Sequence, residues 1–541
     1  SGLTRKVDSV FRGVAARYRR VLERGLRWPW WSVVAVLVLT VSAAWMLYLL
    51  PAEYAPAEDR GAFSVILRAP EGASLQYMDR YAREMEAILL EEIGNSRSVR
   101  RFLTRLPGSF GGSEVNSARA IVLLENWDLR DESDKEIGDR LRARLEELPG
   151  VRAFVSHGSS LGLSSDGRPV NMVIGGPDYE QLQRWRDEVM AAMLEMPELT
   201  NPDSNFQERK PQMNVAVDRN RAAALGVSLS RIGRTLETML GSRQVTTYID
   251  RGREYDVVLM GKEEDRSSPN DLTNLYVRSE LTRDLVPLAN LVQITERAGP
   301  SSLNRHDRMR SITMEAGLAP GISLGAAIDA LREKATEILP AGARISWDGE
   351  SKEYLESGSS LYFTFGLALL VVFLVLSAQF ESFVNPLIIL VTVPLAMTGA
   401  LGGLLLYGSS INVFSQIGAI LLIGLSAKNG VLIVEFANQL RDRGMDIREA
   451  VLDAASVRFR PVLMTSAATT FGALPLLLGS GAGWESRQPI GIVIVFGVAI
   501  SALLTLLIVP TLYSLFARNT SSPQRVSRLI EQMQKLPESG R

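Results

Sequence analysis

Apolar and polar residues are segregated along this chain on two scales. No charged side chain interrupts residues 28–50, and further apolar runs at about residues 359–378, 384–407, 411–437, 461–480 and 489–516 crowd into the last third. Each is long enough to cross a hydrocarbon core of about 30 Å, which takes roughly 20 helical residues. The pattern predicts a membrane α-helical bundle of six transmembrane helices, with Trp28, Trp30 and Trp31 as interfacial anchors of the first. Pro386, Pro394, Pro475 and Pro510 fall near or inside these helices, where neighbouring helices can satisfy the carbonyls they free.

Between the first and second spans lies a charged segment, residues 51–350, in which the apolar period switches back and forth between 2 and 3.6. Strand 63–68, helix 76–91 and strand 99–104 are followed by strand 118–124, helix 134–148 and strand 151–155. This is the α+β, ferredoxin-like split βαβ order. A second module is interrupted: 169–174, 179–196 and 212–217 supply one half, and 311–316, 324–339 and 344–347 the other. A mixed domain at about 213–295 is inserted between them.

Charge fixes the expected orientation, because loops rich in Lys and Arg stay on the cytoplasmic side. Arg5, Lys6, Arg12, Arg17, Arg19, Arg20, Arg24 and Arg27 of the leader face only Asp8 and Glu23. The loop with Arg441, Arg443, Arg448, Arg458 and Arg460 and the tail with Arg518, Arg525 and Arg528 agree with it, which puts 51–350 outside, in a periplasm if the host has two membranes. Val7, Phe11, Val14, Tyr18, Val21 and Leu22 recur near helical spacing, so an amphipathic helix on the inner face is a plainer reading of the leader than a nucleic-acid-binding arm.

Composition removes several chemistries. The 541 residues hold no cysteine, and the formal charge of -1 gives no bulk attraction to nucleic acid. His157 and His306 stand far apart, so a histidine-built metal centre or a hydrolase with a convergent nucleophile and base is not expected. Met190, Met193 and Met196 have the spacing of core packing on a helix rather than of a thioether metal site. A phosphate-cradling GxxxxGK[ST] loop is absent, which leaves a gradient rather than ATP as the energy source. The chain opens at Ser1 without an initiating Met and reads as a piece of a longer polypeptide.

Lys428 is the outstanding candidate. It lies roughly 13 Å from the cytoplasmic end of its span at 1.5 Å per residue, and an ionised Lys there costs about 2.5–3.5 kcal/mol on insertion scales. No carboxylate in these helices stands at matching depth; Glu435 is close to the cytoplasmic end. Either Lys428 is part of a relay with acids on other helices, or it glues helices together. Asn429 and Ser426 are polar neighbours, and Thr465, Ser466, Thr469 and Thr470 suit interhelical hydrogen bonds or back-bonding. Glu435 has either a conformational role or a place in interfacial water. Pro107, Gly108, Ser109, Phe110, Gly111 and Gly112 compose either a mobile loop with an aromatic tip or an ordinary hairpin connection.

Four runs carry a resemblance: PAEYAPAEDRG at 51–61, IDRGREYDVVL at 249–259, GLSAKNGVLIVEFA at 424–437 and RFRPVLMTS at 458–466. They resemble the resistance-nodulation-division (RND) transporters, specifically the hydrophobe/amphiphile efflux branch, along nearly the whole chain. The resemblance implies the carboxyl-terminal half of a twelve-helix pump inner-membrane subunit. Its parts would be a leader at 1–27, a span at 28–50, porter subdomains at 51–167 and at 168–212 with 296–350, a docking subdomain at 213–295, five spans within 359–516 and a tail at 517–541. It implies proton antiport in a Gram-negative inner membrane, with no cofactor besides the proton-motive force, and a homotrimer that joins a periplasmic adaptor and an outer-membrane channel. Small amphiphilic drugs, detergents or dyes would be the cargo. The missing amino-terminal half would supply the acidic pair coupled to Lys428, with Thr465 as relay threonine and Arg458 at the inner mouth, and Phe110 would touch cargo. Aligned on its Leu199-Thr200 and Pro211-Gln212 pairs, the chain has Asp203 where family members often carry a cation, which leaves the cargo range open. A protein-export accessory of related architecture and a metal-ion exporter are the competing readings; the interrupted second module favours the pump over the first.

Overall fold

The computed structural model describes residues 2–95, 98–108, 115–158, 161, 168–300 and 302–517. It divides into two compact units: Ser1–Ala69, Ser74–Asn205 and Asn304–Arg541 form the first, and Pro70–Ala73 with Phe206–Leu303 the second.

The first unit opens with helices α1 (Gly2–Arg27) and α2 (Trp30–Leu49), separated at Pro29. Then follow β1 (Ala62–Arg68), α3 (Leu75–Asn95), β2 (Val99–Arg105), β3 (Ser117–Leu124), α4 (Asp134–Leu145) and β4 (Arg152–His157). The strands form an antiparallel sheet in the order β2-β3-β1-β4, which is the split βαβ arrangement that the sequence periodicity predicts. In β3 alternate residues are buried, as a sheet covered on one face requires. Ser133 and Glu136 close a capping box at the start of α4.

A second sheet is built from β5 (Val170–Gly176), α5 (Tyr179–Glu195) and β6 (Leu199–Ser204) on one side of the insertion. Here the structure corrects the expected elements. The strand expected at 212–217 is not the partner of β5's sheet; it belongs to the second unit, and β6 takes its place. The β6 sequence LTNPDS is polar, contains Pro202 and buries little besides Leu199 and Asp203, so periodicity gives no strand signal there.

The second unit runs through β7 (Lys210–Val217), α6 (Arg219–Ala224), α7 (Leu229–Leu236), the hairpin β8 (Arg243–Asp250) with β9 (Arg253–Leu259), the short pair β10 (Tyr276–Arg278) with β11 (Leu285–Pro287), and β12 (Val292–Gly299). β7 and β12 pair antiparallel over their full length, so the unit leaves and rejoins the chain through one two-stranded stem. Ile232, Leu272, Val277, Leu288 and Leu291 form its core.

The chain returns to the first unit with β13 (Arg305–His306), β14 (Met309–Leu318), α8 (Leu324–Ile338) and β15 (Arg344–Trp347). β14 pairs with both β5 and β6, and β15 with β5, repeating the topology of the first sheet. Met193 is fully buried in α5 and Met196 lies 9% exposed just beyond it, so both are core residues of this module.

The bundle consists of α2 with α9 (Gly349–Phe380), α10 (Val384–Leu390), α11 (Thr392–Leu406), α12 (Val413–Asp442), α13 (Ile447–Leu477) and α14 (Trp484–Phe516). Trp30–Leu49, Gly349–Phe380, Val384–Leu406, Val413–Asp442 and Trp484–Phe516 are long and apolar enough to cross a membrane. α13 contains the remaining apolar run but starts well before Pro461. Asp446 caps its N-terminus, and Ala450, Val451, Ala454 and Ala455 are buried on one face, so the helix is established before the proline is reached. Glycines seat α14 close to its neighbours: a Cβ on Gly403 would lie 2.7 Å from the Phe496 ring, and one on Gly491 2.6 Å from the Leu477 backbone nitrogen.

α1 docks on the bundle through Tyr18, Leu22 and Leu26. The Tyr18 ring stacks on Phe459 with centroids 4.6 Å apart, and its hydroxyl donates to the Leu506 carbonyl at 2.6 Å. That carbonyl is the one Pro510 frees, since proline has no N–H for the residue four positions back. Tyr18→Phe keeps the stacking but orphans a buried acceptor, so the purified protein should lose about 1–3 kcal/mol of stability. Thermal unfolding in detergent checks this; an unchanged midpoint would mean that the bond contributes nothing.

Candidate functional site

Two arrangements in the first unit could carry function: the lysine on α12, and a junction that ties the bundle to the external modules.

α12 begins with a capping box in which Asn412 and Ser415 satisfy each other's backbone. Lys428 is at the middle of this 30-residue helix, about 22 Å from either end. It lies on the exposed face with Ile417 and Leu421, and among the described residues it makes no hydrogen bond or ion pair. The adjacent face is packed: Asn429 Nδ2 donates to Ser466 Oγ at 3.2 Å, a buried polar bridge from α12 to α13. Thr465 donates instead to the Val462 carbonyl of its own helix at 3.2 Å, and Ser426 likewise to Ile423 at 3.1 Å. The Arg458 guanidinium lies 4.7 Å above the Phe436 ring, with Nε buried and without an acceptor. Glu435 accepts from Gln439 at 3.1 Å. The structure thus joins Asn429 to Ser466 but brings Lys428 into contact with none of Thr465, Arg458 or Glu435. Thr392 and Asn385, which the sequence reading passed over, are fully or nearly fully buried with unpartnered side-chain polar atoms. Their only sequence signal is a polar residue inside an otherwise apolar run.

Phe110, Gly111 and Gly112 lie outside the described residues. Among the described residues on either side in sequence, Arg105 reaches the Gly108 carbonyl at 3.2 Å, and the Gly108 N–H donates to the Ser117 carbonyl at 2.8 Å.

The second arrangement is built on residues 51–61, the first of the four runs that carry the resemblance. Pro51, Glu53 and Tyr54 form backbone bonds with the loop before α12: Ile411 N–H to Pro51 at 2.8 Å, Glu53 N–H to Ile411 at 3.0 Å and Val413 N–H to Tyr54 at 3.2 Å. Burial pushes the Glu53 carboxyl above its ordinary range, against a hydrogen bond from Ser410. Glu58, almost fully buried, accepts from the Ser486 hydroxyl in the first turn of α14, and the Gly483 N–H donates to the Asp59 carbonyl at 3.1 Å. The Asp59 carboxylate points the other way, taking Arg130 at 2.6 Å, the Asp134 N–H at 2.9 Å and the Gly61 N–H at 3.0 Å. It therefore sits at the N-terminus of α4, where the helix dipole favours an anion. Burial acts to raise the Asp59 carboxyl, but these donors outweigh it and hold the group below the usual carboxylate range. His157 Nδ1 lies 3.2 Å from Asp134 on the same helix.

Asp203, a departure from the pattern the resemblance implies, is neutralised in place. Arg168 and Arg152 each approach it at 3.1 Å, and the Arg168 guanidinium stacks 4.4 Å from the Phe154 ring. β4, Arg168 and β6 are pinned together at this point. Asp203→Ala removes the nearer carboxylate of Arg168, whose side chain is 6% exposed, and leaves it Glu315 at 3.5 Å, so it should cost about 1–3 kcal/mol in the external region by denaturant unfolding.

Comparison with known proteins decides the family, because the pattern of the AcrB/AcrD/AcrF family matches residues 1–517. The chain belongs to the AcrB/AcrD/AcrF family. It thus falls within the RND superfamily, and its apolar helices accord with a multi-pass membrane protein. An uncharacterized transporter of Haemophilus influenzae is 32% identical over 497 residues, a match covering 90% of this chain and 47% of the relative. The chain spans about half the length of that curated relative.

For this AcrB/AcrD/AcrF-family chain the Asp59 network has a pH signature. A carboxylate whose value is lowered by folding contributes stability above the unfolded value of about 3.9 and loses that contribution as pH falls through the lower folded value. The external region should therefore destabilise between about pH 5 and pH 2 more steeply than an Asp59→Asn variant, which is weaker at neutral pH but flatter in acid. Parallel pH profiles of the two proteins would rule out the network as a stabilising element.

Proposed function

We propose that this chain is the carboxyl-terminal half of a proton-driven exporter of hydrophobic and amphiphilic small molecules. The observation that carries the reading is Lys428: a cation at the middle of a membrane-length helix, on an exposed face and without a counter-ion among the described residues. A charge in that position needs an acid from elsewhere, and a relative twice as long has room for one. Protonation of acids on the other half weakens their hold on Lys428, the helices shift, and protons move inward as cargo moves outward. In this reading α13 is the sixth span of a Gram-negative inner-membrane bundle, and the Lys- and Arg-rich leader and loop on the cytoplasmic side leave residues 51–350 facing the periplasm. The two sheet modules act as porter subdomains and the unit at 206–303 as the docking subdomain of a homotrimer that meets an adaptor and an outer-membrane channel. Phe110, Gly111 and Gly112 line the cargo path; Asn429, Thr465, Arg458 and Glu435 surround the relay.

Residues 51–61 have the geometry to transmit the shift, since Glu58 and Asp59 bind α14 on one side and α4 on the other. The burial of Met193 and Met196 weighs against a thioether route for metal cargo.

Lys428→Met in the complete pump should abolish proton-coupled dye export by everted vesicles while expression and assembly stay at wild-type levels. Normal export by that variant would refute the relay.

A further inference from the structure

The leader helix has a surface the transport reading does not use. Successive helical residues are about 100° apart, so residues seven apart nearly superpose. Tyr18, Leu22 and Leu26 form the face buried against α13 and α14. Beside it runs a second apolar line, Val14, Val21 and then Trp28 beyond the helix end, exposed by 49%, 46% and 80%. Next around the helix come Arg17 and Arg24, also seven apart, and then Arg20, all exposed. On the far edge Arg19 is occupied by Asp453 at 2.9 Å. Among the described residues Arg17, Arg20 and Arg24 have no acidic partner.

We propose that α1 is a binding surface for anionic phospholipid headgroups, with Val14, Val21 and Trp28 set into the acyl boundary and Arg17, Arg20 and Arg24 at the phosphates. The proposal rests on α2 crossing a membrane, because α1 then lies at the interface only two residues from the span. An apolar line bordered by guanidinium groups matches the layering of an anionic leaflet, and Trp28 is of the type favoured at that depth. Guanidinium groups form forked hydrogen bonds to phosphate. A nucleic acid would leave Val14 and Val21 in water, and an apolar helix would bury the arginines unpaired. Each arginine should contribute about fivefold in affinity at physiological salt, less as salt rises.

The test uses the complete pump, purified in neutral detergent and stripped of lipid, titrated with fluorescent phosphatidylglycerol or with phosphatidylcholine of the same chains. Wild type should prefer phosphatidylglycerol by tenfold or more, and the Arg17→Gln, Arg20→Gln, Arg24→Gln triple variant should lose that preference. The corresponding triple Lys variant should keep most of it, and Arg19→Gln should keep all of it, which separates headgroup binding from general damage to the helix. Equal affinity for the two lipids, a preference that survives the triple Gln substitution, or displacement of phosphatidylglycerol by a short nucleic-acid duplex would each overturn the assignment. None of these readouts involves transport, so their failure is distinguishable from failure of the exporter reading.

Discussion

Hydrocarbon offers no hydrogen bonds, and every polar group placed in it must be answered from within the protein. Most of the bundle obeys this by being helical. The exceptions carry the information. Pro510 leaves the Leu506 carbonyl open, and the chain answers with a tyrosine from its own leader, some 488 positions away in sequence. Asn429 is answered by Ser466 across a helix pair. Thr392, Asn385 and Lys428 are left without a partner among the described residues, and Lys428, as a cation, is the costliest of them to leave so.

The same accounting at the outer end of the bundle reads differently, because there water is available and buried bonds are a choice rather than a necessity. Glu58 and Asp59 are consecutive, yet one carboxylate is committed to α14 and the other to α4. A peptide of two residues therefore holds a membrane helix and an external module in fixed relation, and the charge of Asp59 is compensated by Arg130 and by a helix terminus rather than by solvent.

How much of this was legible in the sequence depended on whether the determining contact was local. The split βαβ order of the first module was readable because the apolar period switches between 2 in strands such as β3, where burial alternates, and 3.6 in the helices. β6 was not, since a strand of the composition LTNPDS is selected by its partner β14 and not by its own side chains. Helix cores were found but their ends were not: α9 and α13 extend past the membrane-length runs because amphipathic turns continue them. Lys428 stood out as a lone charge in an apolar run. The partnership of Glu58 with Ser486 could not be seen, because nothing near either residue encodes a contact spanning 428 positions.

α14 has a further consequence. Where a side chain would ordinarily cushion one helix from the next, glycines bring it backbone to backbone with α13 and against α11, leaving no slack for sliding within the trio. Its outer tip holds Glu58 and its inner half receives the leader at Leu506. Such a member is built as a pushrod: a displacement applied near Leu506 would be carried along its length, and the first thing it would meet at the other end is the carboxylate pair.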